Sequence, residues 1–167
     1  QNVIIAQPVA SLNSSISGQT NVPCSGAVTG SATVGVSGGT GPYTYDWNTS
    51  PVQTNAAAIN LPAGIHICTI TDANGCTTTA SVTIAQPVAA LSSSVSAQSN
   101  VGCFGATTGS ASLNASGGTT PYAFSWNTTP VQNTASATNL PAGVWTCTIT
   151  DANGCTVTRN VNITQPA

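Results

Sequence analysis

Few side chains in this chain can move protons. The sequence contains one histidine, one basic residue and three acidic residues, with no lysine and no glutamate. They are His66, Arg159, Asp46, Asp72 and Asp151. A general acid–base pair or a catalytic triad needs two or three such groups at one place. The composition therefore predicts that the chain is not an enzyme.

The cysteines are the other reactive groups. There are six, at Cys24, Cys68, Cys76, Cys103, Cys147 and Cys155. This many cysteines in a short chain is typical of an oxidising compartment, so we expect an extracellular or cell-surface location. Two cysteines with seven residues between them, together with one histidine, do not match a zinc site. We therefore expect neither a metal nor another cofactor.

The sequence repeats with a period of 79 residues. Gln7-Pro8 returns as Gln86-Pro87, and the first three cysteines return as the second three. A period of this length is typical of tandem domains rather than of short solenoid coils. We predict four segments: the last strand of a preceding repeat at 1–6, a first repeat at 7–85, a second at 86–164, and the beginning of another at 165–167.

Differences between the two copies show which titratable side chains the repeat does not require. His66 becomes Trp145 and Asp46 becomes Ser125, so neither position requires a titrating side chain. Asp72 is kept as Asp151, each in the tetrapeptide Asp-Ala-Asn-Gly. Calcium needs six to eight oxygen ligands, and one carboxylate is far short of that. We therefore predict a four-residue hairpin turn, with Thr71 opposite Cys76.

Short alternating segments predict a fold made of strands. In the segment 31–36, for example, Ala32, Val34 and Val36 alternate with smaller or polar residues and should face a core. Six or seven such strands per repeat predict an all-β fold of tandem immunoglobulin-like β-sandwich repeats. We expect strands near 9–17, 31–36, 43–47, 54–59, 65–71 and 76–84.

Aromatic residues share one face of the third predicted strand. The two sets are Tyr43, Tyr45 and Trp47, and Tyr122, Phe124 and Trp126. They suit a core, since the phenylalanine lacks the hydroxyl that a ligand site would use. A sugar-stacking platform is the alternative. Asn48 and Asn127, just past this strand, are candidate glycosylation sites in Asn-x-Ser/Thr triplets.

The chain is almost uncharged, with charged residues at 2%. Nucleic-acid binding and binding to anionic membranes both need clustered basic residues, so neither is expected. There is also no apolar run long enough to insert into a membrane. A net charge near zero favours association. The expected partners are adjacent repeats and identical chains, with surface glycans as candidate ligands.

Several motifs occur together in the first copy and return in the same order in the second, where Phe124 replaces Tyr45. They include Cys24-x-Gly26, the segment 37–47 with Ser-Gly-Gly-Thr-x-Pro-Tyr-x-Tyr-x-Trp, Leu61-Pro62-Ala63-Gly64, and Thr71-Asp72-Ala73-Asn74-Gly75-Cys76. This set resembles the SprB repeat, which occurs in tandem in giant surface adhesins of gliding bacteria. The resemblance implies a structural and adhesive module of a long extracellular filament, serving adhesion, gliding-type motility or a matrix. Two alternatives remain: a carbohydrate-binding repeat array, and a self-assembling fibre subunit that donates strand 1–6 to a neighbour.

The resemblance also implies a pairing of the cysteines. The family pattern keeps two cysteine positions per repeat, which implies the disulfides Cys24–Cys76 and Cys103–Cys155. For the third cysteine position, occupied by Cys68 and Cys147, there are three interpretations. It is a buried free thiol, a bond between repeats or between chains, or one half of a Cys24–Cys68 bridge behind the tryptophan.

Overall fold

The computed structural model describes residues 10–167, which form strands and turns without a helix. The predicted strand at 1–6 and Val9, the first residue of the strand expected near 9–17, lie outside this range. The all-β prediction is confirmed.

The chain divides into two compact units. Among the described residues, the first contains those up to Val22 together with Gly26–Gln86, and the second contains Pro23–Ser25 together with Pro87–Ala167. The repeat boundaries predicted at residues 7, 86 and 165 stay predictions.

Within residues 10–167, six strands lie in each unit, and their lengths match one for one. Those of the first unit are β1 Asn13–Thr20, β2 Gly30–Ser37, β3 Thr44–Trp47, β4 Ala57–Leu61, β5 Gly64–Thr71 and β6 Thr77–Ile84. Those of the second are β7 Ser92–Ser99, β8 Gly109–Ser116, β9 Ala123–Trp126, β10 Ser136–Leu140, β11 Gly143–Thr150 and β12 Thr156–Ile163.

Each unit holds two three-stranded antiparallel sheets. In the first unit the orders are β1-β2-β4 and β3-β5-β6, and in the second they are β7-β8-β10 and β9-β11-β12. Both sheets of a unit supply buried residues to one core, which is the arrangement of a β-sandwich.

The core follows from the alternation of side chains along the strands. Ala32 and Val34 of β2 are 1% and 4% exposed, and they lie in one cluster with Ile70 of β5 and Val82 of β6. Trp47 is completely buried in that cluster. The period-2 pattern read from the sequence therefore does place the apolar face inward.

The turn after β2 depends on a glycine. Gly38 has a φ of 68°, and a Cβ there would collide with the backbone carbonyl oxygen of Ser11. Gly117 occupies the same place in the second unit, with a φ of 72° and the carbonyl of Ala90 as its neighbour. Only glycine combines a left-handed backbone with this close approach. The turn leads into the aromatic strand β3. It also lies next to the side chain of Asp72.

Candidate functional site

Two short segments of each repeat carry the exposed or half-buried cysteines. We call residues 22–26 and 101–105 the cysteine loops, and residues 72–76 and 151–155 the Asp hairpins. The cysteine loop precedes the second strand of its repeat, and the Asp hairpin joins the last two strands. These segments are the candidate site because all reactive, accessible sulfur in the described residues lies in them.

The Asp hairpin is organised by one carboxylate. Oδ1 of Asp72 accepts hydrogen bonds from the backbone N–H groups of Asn74 and Cys76, both at 2.9 Å. Oδ2 accepts one from the N–H of Thr40 at 3.0 Å. Asp151 makes the same three bonds in the second unit, at 2.9 Å each. The hairpin is thereby tied to the turn that follows β2.

These hydrogen bonds set the charge state of the aspartates. Burial by itself raises the pKa of Asp72 and Asp151, but the three backbone donors around each carboxylate outweigh it and lower the pKa below the usual value. Each aspartate is therefore an anion in the folded chain at neutral pH. Its oxygens are already engaged by N–H groups, and no cluster of three metal-ligating side chains occurs within residues 10–167.

The hairpin is one residue longer than predicted. Thr71 lies opposite Thr77 rather than Cys76, and Cys68 lies opposite Ala80. The reason is that the N–H of Asp72 donates to the carbonyl of Cys76 at 2.9 Å while Asp72 Oδ1 accepts from the Cys76 N–H. Cys76 thus belongs to the turn, where its side chain is exposed.

The cysteine loop is held by the two residues on either side of the predicted repeat boundary that follows it. The N–H of Val22 donates to the carbonyl of Ala85 at 2.9 Å, and the N–H of Gly26 donates to Gln86 Oε1 at 2.8 Å. The second copy repeats both bonds, the latter between Gly105 and Gln165 at 3.0 Å. The glutamine of the repeated Gln-Pro pair is thus a positioning residue, which sequence reasoning missed. Its recurrence beside the repeat boundary was the available signal.

The disulfide pairing predicted from the resemblance is wrong in this structure. Cys24 is bonded to Cys155, 131 residues away in sequence, and neither Cys24–Cys76 nor Cys103–Cys155 forms. Cys24 lies in the segment Pro23–Ser25, which belongs to the second unit. The amide of Asn153 donates to the Pro23 carbonyl beside the bond, at 3.1 Å. Cys76 and Cys103 are both free and exposed.

The third cysteine of each repeat is a core residue. Cys68 and Cys147 are completely buried and free. Burial raises the pKa of both thiols, which leaves little reactive thiolate. A Cys24–Cys68 bridge is excluded here because Cys24 is already bonded to Cys155.

His66 and Trp145 make equivalent hydrogen-bond contacts in the two units, although their side chains differ chemically. His66 Nε2 lies 2.9 Å from the carbonyl oxygen of Pro62, and Trp145 Nε1 donates to the carbonyl of Pro141 at 3.0 Å. Because a carbonyl only accepts, the histidine tautomer with a proton on Nε2 fits this contact. The ring anchors the turn before the fifth strand of each unit.

The aromatic residues of the third strand lie in or against the two cores. Trp47 and Trp126 are buried, and their indole N–H groups donate to backbone carbonyls at 2.9 and 3.0 Å. Tyr43 and Tyr122 donate to the carbonyls of Gly38 and Gly117. Tyr45 and Phe124 pack against the same clusters. The sugar-stacking alternative would need these rings at an open surface.

A groove occurs at equivalent places in both units. Each groove encloses about 520 Å³ and contains the candidate glycosylation residue, Asn48 or Asn127. Both asparagines are exposed. Their Oδ1 atoms accept from the N–H groups of Ile67 and Thr146 at 2.9 and 2.8 Å. Glycosylation of either asparagine stays a prediction.

Two segments of the chain are similar to a known family of repeats. The SprB repeat family profile matches residues 16–52 and 95–130. The resemblance read from the motifs is therefore confirmed in two segments. No curated protein matches the chain. No helix in the described part of the chain is long and apolar enough to cross a membrane.

Solved structures with the same general fold share little sequence with the chain. The three N-terminal domains of the Highly Immunogenic Outer Capsid protein (Hoc) of bacteriophage RB49 match with a TM-score of 0.50 and 14% identity. That match covers 93% of this chain and 59% of the Hoc chain. The eight N-terminal Ig domains of Down Syndrome Cell Adhesion Molecule match with a TM-score of 0.40 and 11% identity, covering 93% of this chain and 25% of that one. The fold class is confirmed, and at these identities the likeness concerns the fold alone.

Proposed function

Because the chain carries the SprB repeat in two segments, we propose that it is a structural and adhesive module of a long extracellular filament on a bacterial surface. The observation that carries the proposal is the repetition itself. Two units share every strand and the whole Asp hairpin, while titratable side chains such as His66 and Asp46 differ between copies. A function that survives such changes is one of architecture rather than of catalysis.

The residue chemistry supports a module without enzymatic activity. Asp72 and Asp151 are engaged by backbone N–H groups, and the ring of His66 is engaged by the Pro62 carbonyl. Arg159 donates to the backbone carbonyl of Ser93. The polar side chains are thus used to hold turns and strands. This structural use of the polar side chains suits an extracellular repeat whose role is to extend a filament and to attach the cell.

Blocking attachment of the source cells tests the adhesive part of the proposal. Monovalent antibody fragments raised against the 167-residue chain should lower the number of cells that attach to a glass or polysaccharide surface. Fragments adsorbed beforehand with the purified chain are the control and should leave attachment unchanged. Attachment that is unaffected at saturating binding to the cells would contradict the adhesive role.

The repeated groove favours a carbohydrate-binding array as the second candidate. The grooves have the same volume, and each is lined by two asparagines, a glutamine, two prolines and a ring, His66 or Trp145. The half-buried indole of Trp145 offers the larger apolar face for a sugar ring. Binding on a glycan array that is lost with Trp145→Ala and kept with Tyr43→Phe would support this candidate. An array without any signal would remove it.

A further inference from the structure

The asparagine in each Asp hairpin is followed by a glycine, which makes it chemically different from the other asparagines of the chain. The sequence contains two Asn-Gly pairs, Asn74-Gly75 and Asn153-Gly154, and both lie in Asp hairpins. In such a pair the backbone nitrogen of the glycine can attack the side-chain carbonyl carbon of the asparagine, because glycine has no side chain that crowds the approach. Both asparagines are exposed, so water reaches them.

We propose that Asn74 and Asn153 are deamidation sites controlled by the Asp hairpins, protected while the hairpin is closed and modified by water when it opens. Turns open locally at a lower cost in free energy than a whole domain does. The modification then prevents the hairpin from closing in its original form. Each site therefore marks that its own hairpin has opened.

The closed hairpin engages the nitrogen that would attack. The N–H of Gly75 donates to the backbone carbonyl of Asp72 at 3.0 Å. The N–H groups on either side of it, from Asn74 and Cys76, both donate to Asp72 Oδ1 at 2.9 Å. One aspartate thus holds three consecutive N–H groups around the reactive pair.

The amide group that would leave is held as well. Asn74 Nδ2 donates to Thr40 Oγ1 at 3.0 Å, and the backbone N–H of the same threonine donates to Asp72 Oδ2 at 3.0 Å. Asn153 Nδ2 donates to Thr119 Oγ1, also at 3.0 Å. In the closed hairpin both the attacking nitrogen and the leaving amide are therefore occupied by hydrogen bonds.

The second hairpin has the same bonds and the same local sequence. Asp151 accepts from the three equivalent N–H groups, through Oδ1 and its backbone carbonyl, at 2.9 to 3.0 Å. Residues 72–77 and 151–156 both read Asp-Ala-Asn-Gly-Cys-Thr. Because the local sequences are identical, a difference in deamidation rate between the two sites reports on the folded structure alone.

The reaction needs water and no oxidant or reductant. In the open hairpin the Gly75 nitrogen loses its proton and bonds to Cγ of Asn74, and the bond from Cγ to Nδ2 breaks. The amide leaves as ammonia, which takes up that proton, and a five-membered cyclic imide remains. Water then opens the imide. Attack at Cγ gives aspartate, and attack at the backbone carbonyl carbon gives isoaspartate, in which the main chain runs through Cγ.

Either product disrupts the closed hairpin. Aspartate at position 74 adds a second negative charge to the turn that contains Asp72, and a carboxylate cannot donate to Thr40. Isoaspartate adds one carbon to the main chain before Gly75, which displaces the N–H groups that follow it from Asp72 Oδ1. A hairpin that has reacted therefore loses the bonds that protected it.

Variants of the whole chain that open one hairpin test this control. Asp72→Ala removes the carboxylate of the first hairpin and should speed deamidation at position 74 about tenfold, while position 153 keeps the parent rate. Asp151→Ala should give the reverse. Peptide mapping by mass spectrometry measures aspartate and isoaspartate at each position over time. The unaltered hairpin in the same molecule is the matched control.

A milder variant distinguishes an open hairpin from an unfolded unit. Thr40→Ala, at an exposed position, removes the acceptor of the Asn74 amide, keeps the carboxylate and should speed the reaction at position 74 about threefold. Its circular dichroism spectrum should match that of the parent. In concentrated denaturant the parent and Thr40→Ala should deamidate at both positions at one faster rate, because the local sequences are the same.

Hydrogen exchange tests whether a modified hairpin closes again. In molecules with isoaspartate at position 74, the N–H of Cys76 should exchange with deuterium at least about tenfold faster than in the parent, while the N–H of Cys155 is unchanged. Unchanged exchange at Cys76 would show that the hairpin does close after modification.

Four other results would overturn the proposal. Deamidation of the folded parent as fast as in denaturant would show that the hairpin does not protect, and asparagines that stay intact in denaturant would remove the sites. An unchanged rate at position 74 in Asp72→Ala would show that the carboxylate does not control the reaction. Equal acceleration at both positions would point to unfolding of the whole chain. None of these readouts measures adhesion, so the inference can fail while the adhesive function stands.

Discussion

At the scale of the residue, the chain uses its few charges as structural anchors. Asp72 and Asp151 each collect three backbone N–H groups. A neutral acid group would lose the charge assistance of these bonds. The same carboxylate fixes the length of the hairpin and the place of the cysteine that ends it. The repeat keeps this residue because the fold of the hairpin depends on its charge.

The stability of the fold should fall in acid because of these aspartates. Their pKa is lowered in the folded chain, so their contribution is complete above the unfolded pKa of about 3.9. It is lost as the pH falls through the lower folded value. Thermal unfolding followed from pH 7 to pH 2 should show the midpoint steady at first and then decreasing.

A double variant identifies the groups responsible. Asp72→Asn with Asp151→Asn should unfold at lower temperature at pH 7 and should lose most of the acid-dependent decrease. Asp46→Asn, at an exposed position of β3, is the control and should keep the decrease. The account would be wrong if the double variant kept the full acid dependence.

The cysteines should fall into three classes in an alkylation experiment. Without reductant, iodoacetamide should modify Cys76 and Cys103 in the native chain, and Cys68 and Cys147 only after unfolding, because burial hides them and raises their pKa. Cys24 and Cys155 should react only after reduction. Mass spectrometry at each stage counts the groups. Native modification of Cys68 as fast as that of Cys76 would contradict the buried assignment.

At the scale of the element, the turn after β2 joins the two sheets of a unit and is hydrogen-bonded to the Asp hairpin. Gly38 needs both a positive φ and the absence of a side chain, whereas Gly75 has a φ of 82° in open space. Gly41 has open space as well, and its φ lies outside the left-handed region. Alanine substitutions at these three positions therefore distinguish the effect of backbone strain from that of a steric collision.

Alanine at these positions should destabilise the first unit in a fixed order. Gly75→Ala should lower the free energy of unfolding by about 1 kcal/mol, from strain alone. Gly38→Ala should cost clearly more because its Cβ meets the Ser11 carbonyl. Gly41→Ala should stay within about 0.5 kcal/mol of the parent. Denaturant unfolding measures all three, and equal effects of Gly38→Ala and Gly75→Ala would contradict the steric argument.

Strand positions could be predicted from the sequence because alternation reports burial directly. The segment 31–36 predicted a strand that the structure places at Gly30–Ser37. The hairpin register was missed by one residue, since alternation says nothing of a side chain that accepts from Cys76 and lengthens the turn. The disulfide partner of Cys24 could not be predicted from the sequence, for a different reason. Cys76 and Cys155 are equivalent under the 79-residue shift, so the repeat pattern cannot choose between them.

At the scale of the whole molecule, repetition is the feature that the proposed function depends on. Two similar units carry matching strands and Asp hairpins, and the second unit also holds the disulfide between Cys24 and Cys155. The near absence of charge, at 2% of residues, removes repulsion between neighbouring copies. Such a chain is suited to building length outside the cell.

Electron microscopy of the source cells, labelled with gold-tagged antibody fragments against this chain, tests the central claim most directly. We predict that gold lies along thin filaments that project from the cell surface, at repeated positions on each filament. The control is the same fragment adsorbed beforehand with purified chain, which should remove the label. Gold confined to the cell interior, or scattered on the surface without filaments, would contradict the claim that this chain is a filament module.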